Sequence, residues 1–205
     1  MTNTILINNG NLGRMGKTTI AYNIYKTSKE PFKYVTNDLE NASIDLEENI
    51  EKDLLFHFPN DTKIDMNFSG NIIFDFGGKP DDRLMAIAES VDVIIVPLSY
   101  QSDSELELTV KNLNTLIEVN NNIILIINNT DKADAKRIKT ALKFNPQFKK
   151  IKVLEINHSK YIRRLANDNQ TVFEVAEANK GDATRLNKAI IPQFKELFST
   201  LNIKI

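Results

Sequence analysis

Apolar residues recur along this chain in short unbroken runs, separated by stretches where they return every three or four positions. The runs lie at 4–8, 32–36, 71–76, 92–98, 122–128 and 152–156. Several are apolar throughout, as strands covered on both faces of a parallel sheet tend to be. Between them Ile20, Ile24 and Tyr25 share a helical face, as do Leu84, Ile87 and Ala88. A longer stripe, Leu106, Val110, Leu113, Leu116 and Ile117, follows Ser102, which is suited to cap a helix with Glu105 three positions on. The alternation predicts right-handed crossovers and an α/β fold: three layers, with a doubly wound, mainly parallel sheet flanked by helices.

The stretch 39–68 fits this rhythm least. Residues 42–52 predict an acidic helix, and 54–58 with 62–68 predict a hairpin across Pro59-Asn60-Asp61. No repeat, low-complexity tract or Pro/Gly-rich linker interrupts the 205 residues, so one domain over 1–205 is expected.

Composition narrows the chemistry. There is no cysteine, and the histidines are His57 and His158. Disulfides, thiolate zinc sites and iron–sulfur clusters are thereby excluded, and a histidine-based metal site is not expected. The N-terminus lacks a basic stretch followed by a long apolar one, and no apolar run approaches the ~20 residues of a membrane span. A cytoplasmic protein without a membrane partner is the expectation. Ile190, Ile191, Phe194, Leu197, Phe198 and Leu201 stripe a terminal helix and read as a core face in preference to a lipid anchor. Net charge is −1, but residues 132–205 carry 16 Lys+Arg against 7 Asp+Glu, a net of +9, and the rest 10 against 20, a net of −10. Such a basic back predicts either an anionic partner or cations coating exposed helices.

The candidate chemistry sits after the first run. Asn9-Gly10-Asn11-Leu12-Gly13-Arg14-Met15-Gly16-Lys17-Thr18-Thr19 joins the first strand to the first helix. Glycines let backbone N–H groups approach phosphate oxygens, and the helix N-terminus adds partial positive charge. Gly13, Arg14, Met15, Gly16, Lys17, Thr18 and Thr19 are therefore the expected phosphate cradle, with Lys17 on the β- and γ-phosphates and the Thr18 hydroxyl on Mg²⁺. The strict spacing wants glycine at 11, where Asn11 stands and Gly10 precedes it. Asp75 ends an apolar strand, the place for an acid holding Mg²⁺ through water, and Phe76-Gly77-Gly78 puts flexible backbone, Gly77 above all, beside a γ-phosphate. Asp38 ends the second strand, where ligand crevices of such sheets open. Asn128-Asn129-Thr130-Asp131 ends a later strand, and Asn128 is a candidate for base contact. Its N-x-x-D spacing is the one that reads guanine, so the base is left open by these residues alone.

Together these motifs resemble the ParA/MinD group of partition and positioning ATPases. The resemblance rests on Gly16-Lys17-Thr18-Thr19, Asn37-Asp38 and Asp75-Phe76-Gly77. It extends to Ser90-Val91-Asp92-Val93-Ile94-Ile95-Val96-Pro97 and to Tyr161-Ile162-Arg163-Arg164 with Val172-Phe173-Glu174. It implies ATP with Mg²⁺, a homodimer closed around the nucleotide, weak hydrolysis stimulated by a centromere-binding or adaptor protein, and Asp38 as the residue positioning the attacking water. Lys17 and Asp38 are the catalytic candidates on that basis, and Thr18 and Asp75 the metal-binding ones. The chain departs from the family at Leu12, where the group carries a signature lysine reaching across the dimer, and at Arg14, where it carries a glycine. Arg14 either replaces that cation or points into solvent.

Three functions compete. A DNA-segregation ATPase would use the basic third to grip phosphates without reading sequence. Lys160, Arg163 and Arg164 would share one helical face, with Lys136, Arg137 and Lys139 on another helix. A membrane-positioning ATPase would need the terminal stripe for lipid. A metabolic kinase or ligase would need a second catalytic constellation, which the sequence does not display.

Overall fold

The computed structural model describes residues 3–40, 42, 44–59, 62–64, 69–77, 81–158, 170–178 and 186–205. All six apolar runs form strands: β1 (Thr4–Ile7), β2 (Phe32–Thr36), β4 (Asn71–Asp75), β5 (Val93–Leu98), β6 (Ile123–Thr130) and β7 (Lys152–Asn157). A seventh, β3 (Leu55–His57), completes a sheet of order β3-β2-β4-β1-β5-β6-β7 in which every pairing is parallel. The helices are α1 (Lys17–Thr27), α2 (Leu46–Asn49), α3 (Leu84–Ser90), α4 (Asp103–Ile117), α5 (Lys132–Lys143), α6 (Val172–Ala178) and α7 (Ile191–Thr200).

Alternation along each strand divides the core in two. Ile5, Ile7, Ile73, Ile95 and Ile126 pack with Ile20 and Ile24 of α1 and Phe194 and Phe198 of α7. Leu6, Phe74, Ile94, Val96 and Leu125 face the other way, onto Ile87 of α3, Leu113 of α4 and Ile138 of α5. This is the three-layer, doubly wound parallel fold the periodicity predicts. The terminal stripe from Ile190 to Leu201 lies inside the first of these layers. Among the described residues no helix is long and apolar enough to cross a membrane.

Local capping follows the sequence. Ser102 accepts from the Glu105 N–H at the start of α4, and Asp131 accepts from the Ala133 and Asp134 N–H groups at the start of α5. The segment 39–68 departs from expectation. The acidic helix shrinks to the single turn of α2, because Ile44, Leu46 and Ile50 are all buried and their spacing cannot share one helical face. The hairpin does not form as expected either. Leu55, Phe56 and His57 pair parallel with Tyr34, Val35 and Thr36, filling the outer edge of β2, and the described residues 62–64 carry no strand. Leu54 and Leu55 pack on one core layer while Phe56 and Phe58 pack on the other, so a strand buried on both faces wins over a two-stranded ribbon. Residues 65–68 of the expected hairpin lie outside the described residues.

Candidate nucleotide-binding site

The loop from Asn8 to Gly16 leaves the C-terminal end of β1, the central strand, where doubly wound sheets open their crevice. Its geometry is fixed from below by side chains. The Asn8 carboxamide oxygen accepts from the Gly10 N–H at 2.6 Å, and the Asn9 amide donates to the Pro97 carbonyl and the Thr109 hydroxyl at 2.9 and 3.0 Å. Met15 is buried, its sulfur accepting from the Ser99 N–H. Asn128, at the end of β6, donates its amide to the Met15 carbonyl at 2.9 Å. A Cβ at Gly16 would lie 2.3 Å from that same amide nitrogen, and Gly16 has φ 87°, so glycine is required twice over. Sequence reasoning made Asn128 a base-contacting candidate; the structure seats it as a strut under the loop. Asp131 is engaged as the cap of α5.

Lys17 opens α1 directly above Gly16, and no side chain caps that helix and no acid occupies its first turn. Lys17 is 7 % exposed, its ammonium donating to the Leu12 carbonyl at 2.5 Å. Burial pushes it below the usual lysine range, against the pull of Asp75 and Asp38. Asp75 is 3 % exposed. Burial holds its carboxyl above the usual range, although hydrogen bonds from Tyr34 and Thr18 and the charge of Lys17 all favour the carboxylate. The Tyr34 hydroxyl donates to Asp75 Oδ2 at 2.7 Å. Thr19, next on α1, turns its carbonyl to the buried Asn23 amide at 2.8 Å.

Asp38 lies within electrostatic reach of both Lys17 and Asp75. Its carboxylate rests on Gly77, where a Cβ would approach Asp38 Oδ2 to 2.6 Å. The Gly77 N–H donates to the Asn37 carboxamide at 2.7 Å, and the Asn37 amide donates to Asp81 at 3.0 Å. Asp81 pairs with Arg83 at 2.6 Å, which holds its carboxyl below the usual range, and Arg83 ties the Phe58, Pro59 and Thr62 carbonyls.

The structure thus brings together Gly16, Lys17, Thr18, Asp38, Asp75 and Gly77, with Met15 and Asn128 beneath. Gly13 and Arg14 are exposed on the rim, Gly13 with open space around its Cα. Arg14 has φ 57°, a left-handed conformation that L-residues adopt at a cost of about 1 kcal/mol. Lys160, Arg163, Arg164 and Gly78 lie outside the described residues. Sequence reasoning missed Tyr34 and the Asn37–Asp81–Arg83 chain. A tyrosine in a strand predicted to be buried was the available signal for the first, since its hydroxyl must find a partner.

No family profile matches the sequence, and no curated protein matches it. Solved structures do. McdA from Cyanothece, in complex with ATP, superposes with a TM-score of 0.64 at 14 % identity, covering 100 % of this chain and 98 % of its own. The MinD cell division protein of Aquifex aeolicus gives 0.61 at 16 % identity over 97 % of each chain. A plasmid-partition candidate from Borrelia burgdorferi B31, bound to AMPPNP, gives 0.55 at 17 % identity over 83 % of this chain and 91 % of its own. At such identities the likeness is one of architecture, and on it the chain has the fold of the ParA/MinD-type P-loop ATPases.

Proposed function

We propose that this chain, as one domain over 1–205, is a ParA-like ATPase of DNA or plasmid segregation. It binds Mg-ATP, dimerises with it, hydrolyses it weakly under stimulation by a centromere-binding or adaptor partner, and binds DNA without sequence preference. The observation that carries the reading is the buried Lys17 at an uncapped helix N-terminus, flanked by two strand-end carboxylates. Desolvation outweighs the pull of those carboxylates on Lys17, so the site gains from an incoming anionic ligand.

In this reading the N–H groups of residues 13–19 and the Lys17 ammonium take the phosphates, which draws Lys17 off the Leu12 carbonyl. The hydroxyl of Thr18 and the carboxylate of Asp75 are hard oxygen donors already hydrogen-bonded to each other, which suits Mg²⁺ that keeps several waters and takes phosphate oxygens. The ion supplies charge neutralisation at the phosphates when bound. Asp38 orients the attacking water, and Gly77 permits its approach. Asp131, engaged as a helix cap, is poorly placed to serve guanine, which favours adenine. Arg14 stands on the exposed rim in a strained backbone conformation, suited to reach a facing protomer's phosphates in place of the cation absent at Leu12.

DNA contact falls to Lys160, Arg163 and Arg164. Of the flanking cations on α5, Arg137 is paired with Asp103 at 2.9 Å and Lys139 with Glu155, so these two contribute less than their charge suggests. Titration of labelled ATP and GTP into the protein and its Lys17→Ala variant tests the cradle. Equal ATP binding by both rejects it. Light scattering of Asp38→Ala with Mg-ATP tests dimerisation, and a persistent monomer rejects that step. Mobility shifts on unrelated duplexes, repeated with Arg163→Glu/Arg164→Glu, test the DNA face.

A further inference from the structure

At the opposite end of the sheet from the cradle, the last turn of α5, the 3-10 turn Pro146–Lys150 and the start of β7 enclose a groove of about 470 Å³. Its floor is apolar. Leu142 and Phe148 are buried, and Ile151 and Val153 are half-buried beside them. Its rim is cationic: Lys139, Lys143 and Lys149. The wall is firm, because Asn145 accepts from the Gln147 N–H at 3.0 Å and donates to Asn114 at 3.3 Å, while Pro146 fixes the first residue of the turn. Next to it Phe144, at the C-cap of α5, stands 82 % exposed.

We propose that this groove docks an acidic segment of a partner protein, with a large apolar side chain on the floor and carboxylates on the lysine rim. Residues 132–152 carry eight Lys+Arg and the single acid Asp134, so the surrounding field selects a negative partner. Lys139 already holds one carboxylate, Glu155, at the groove's edge. A nucleic-acid backbone would engage the lysines but gains nothing from a recessed apolar floor, nor from an exposed phenyl ring beside it. A peptide bearing both acid and apolar residues uses all three features, as amphipathic segments do in apolar grooves. The volume falls within the roughly 300–1,000 Å³ of small concave sites. Because the groove lies away from β1, the proposal stands independently of the nucleotide reading, and a docked partner leaves the cradle open.

The probe is a displayed library of random 12-residue peptides, selected on the full chain and counter-selected on Lys143→Glu/Lys149→Glu. Enriched sequences then go into fluorescence polarisation as labelled synthetic peptides. The expected winners carry Asp or Glu beside Leu, Phe or Trp. Their affinity should fall at least tenfold with the double charge reversal and at least threefold with Phe144→Ala. Replacing the peptide's apolar residue by Ser should cost at least tenfold as well. Both protein changes are on exposed side chains, and thermal melts of the variants should match the parent. No enrichment, winners without acids, or binding indifferent to the charge reversal would overturn the proposal. A 24-bp duplex that binds through Lys143 and Lys149 while no peptide does would overturn it in favour of DNA.

Discussion

The cradle at the end of β1 and the groove beside β7 handle charge in opposite ways. In the cradle Lys17 and Asp75 are almost wholly buried, and desolvation pushes both toward their neutral forms despite their mutual attraction. At the β7 edge the lysines stand in solvent, where an ion costs little and a pair such as Lys139–Glu155 contributes at most about 1 kcal/mol. The buried site gives up stability to hold charge where water cannot screen it, which makes each interaction with an incoming anion strong. The exposed site keeps its stability and offers weak, salt-sensitive attraction over an apolar floor. One end of the sheet is built for a tight small ligand and the other for a reversible macromolecular contact.

The largest break in this contrast should come from Lys17→Ala, which removes the buried cation outright. Nucleotide affinity should fall on the order of 100-fold or more, measured by calorimetry, while the fold survives. Gly16→Ala comes next. Its Cβ would meet the Asn128 amide in a left-handed backbone, so the chain should lose about 2–3 kcal/mol in urea unfolding. Gly16→Ala/Asn128→Ala should recover part of that loss, since the clash goes and the backbone strain stays. If the double variant is worse than the sum of the two, the strut is not where the clash arises.

Tyr34→Phe should cost about 1–2 kcal/mol, because buried Asp75 loses a donor and the aromatic packing against Tyr25 is kept. Asp75→Asn should do the reverse, and its pH dependence fixes the sign. Asp75's folded value lies above its unfolded one, so the folded chain holds that proton longer. Stability therefore declines as pH rises from about 4 toward the folded value, and the deficit persists above it. Asparagine removes the deficit, so the variant should be more stable than the parent at pH 7.5 and gain less at pH 4.5. An equal gain at both would place the cost elsewhere than in the buried charge. The smallest effect belongs to the exposed end: Lys143→Glu should shift stability by about 0.5 kcal/mol or less.

The sheet was legible because its strands are buried on both faces, and an unbroken run such as Ile123 to Ile127 has few other uses in a chain of this kind. The cradle was legible because Gly16-Lys17-Thr18 sits where a strand becomes a helix, a juncture local in sequence. Segment 39–68 was not, since β3 is chosen by the vacant edge of β2, a neighbour some twenty residues away, and by two core layers that no local window contains. The supports of the site were hidden for the same reason. Tyr34 meets Asp75 across 41 positions and Asn128 meets Met15 across 113. The Val172-Phe173-Glu174 stretch also acquires a local meaning: Thr171 and Glu174 form a reciprocal cap on α6, and Asn23 of α1 accepts from the Val172 N–H at 2.9 Å.

That strut under the loop also sets a clock for synthesis. β1 is the first strand to be made, yet it is the middle of the sheet, and its partners β4 and β5 follow far behind it on the chain. Asn128 emerges about 120 residues after Asn8, which at roughly 5–20 residues per second means a delay of about 6–24 s. Within that interval the flanking strands β4 and β5 arrive first, and the glycine-rich loop lacks its underpinning until the end. A nascent chain should hence gain nucleotide affinity in one late step, as β6 leaves the ribosome, and arrested chains ending before residue 128 should bind none.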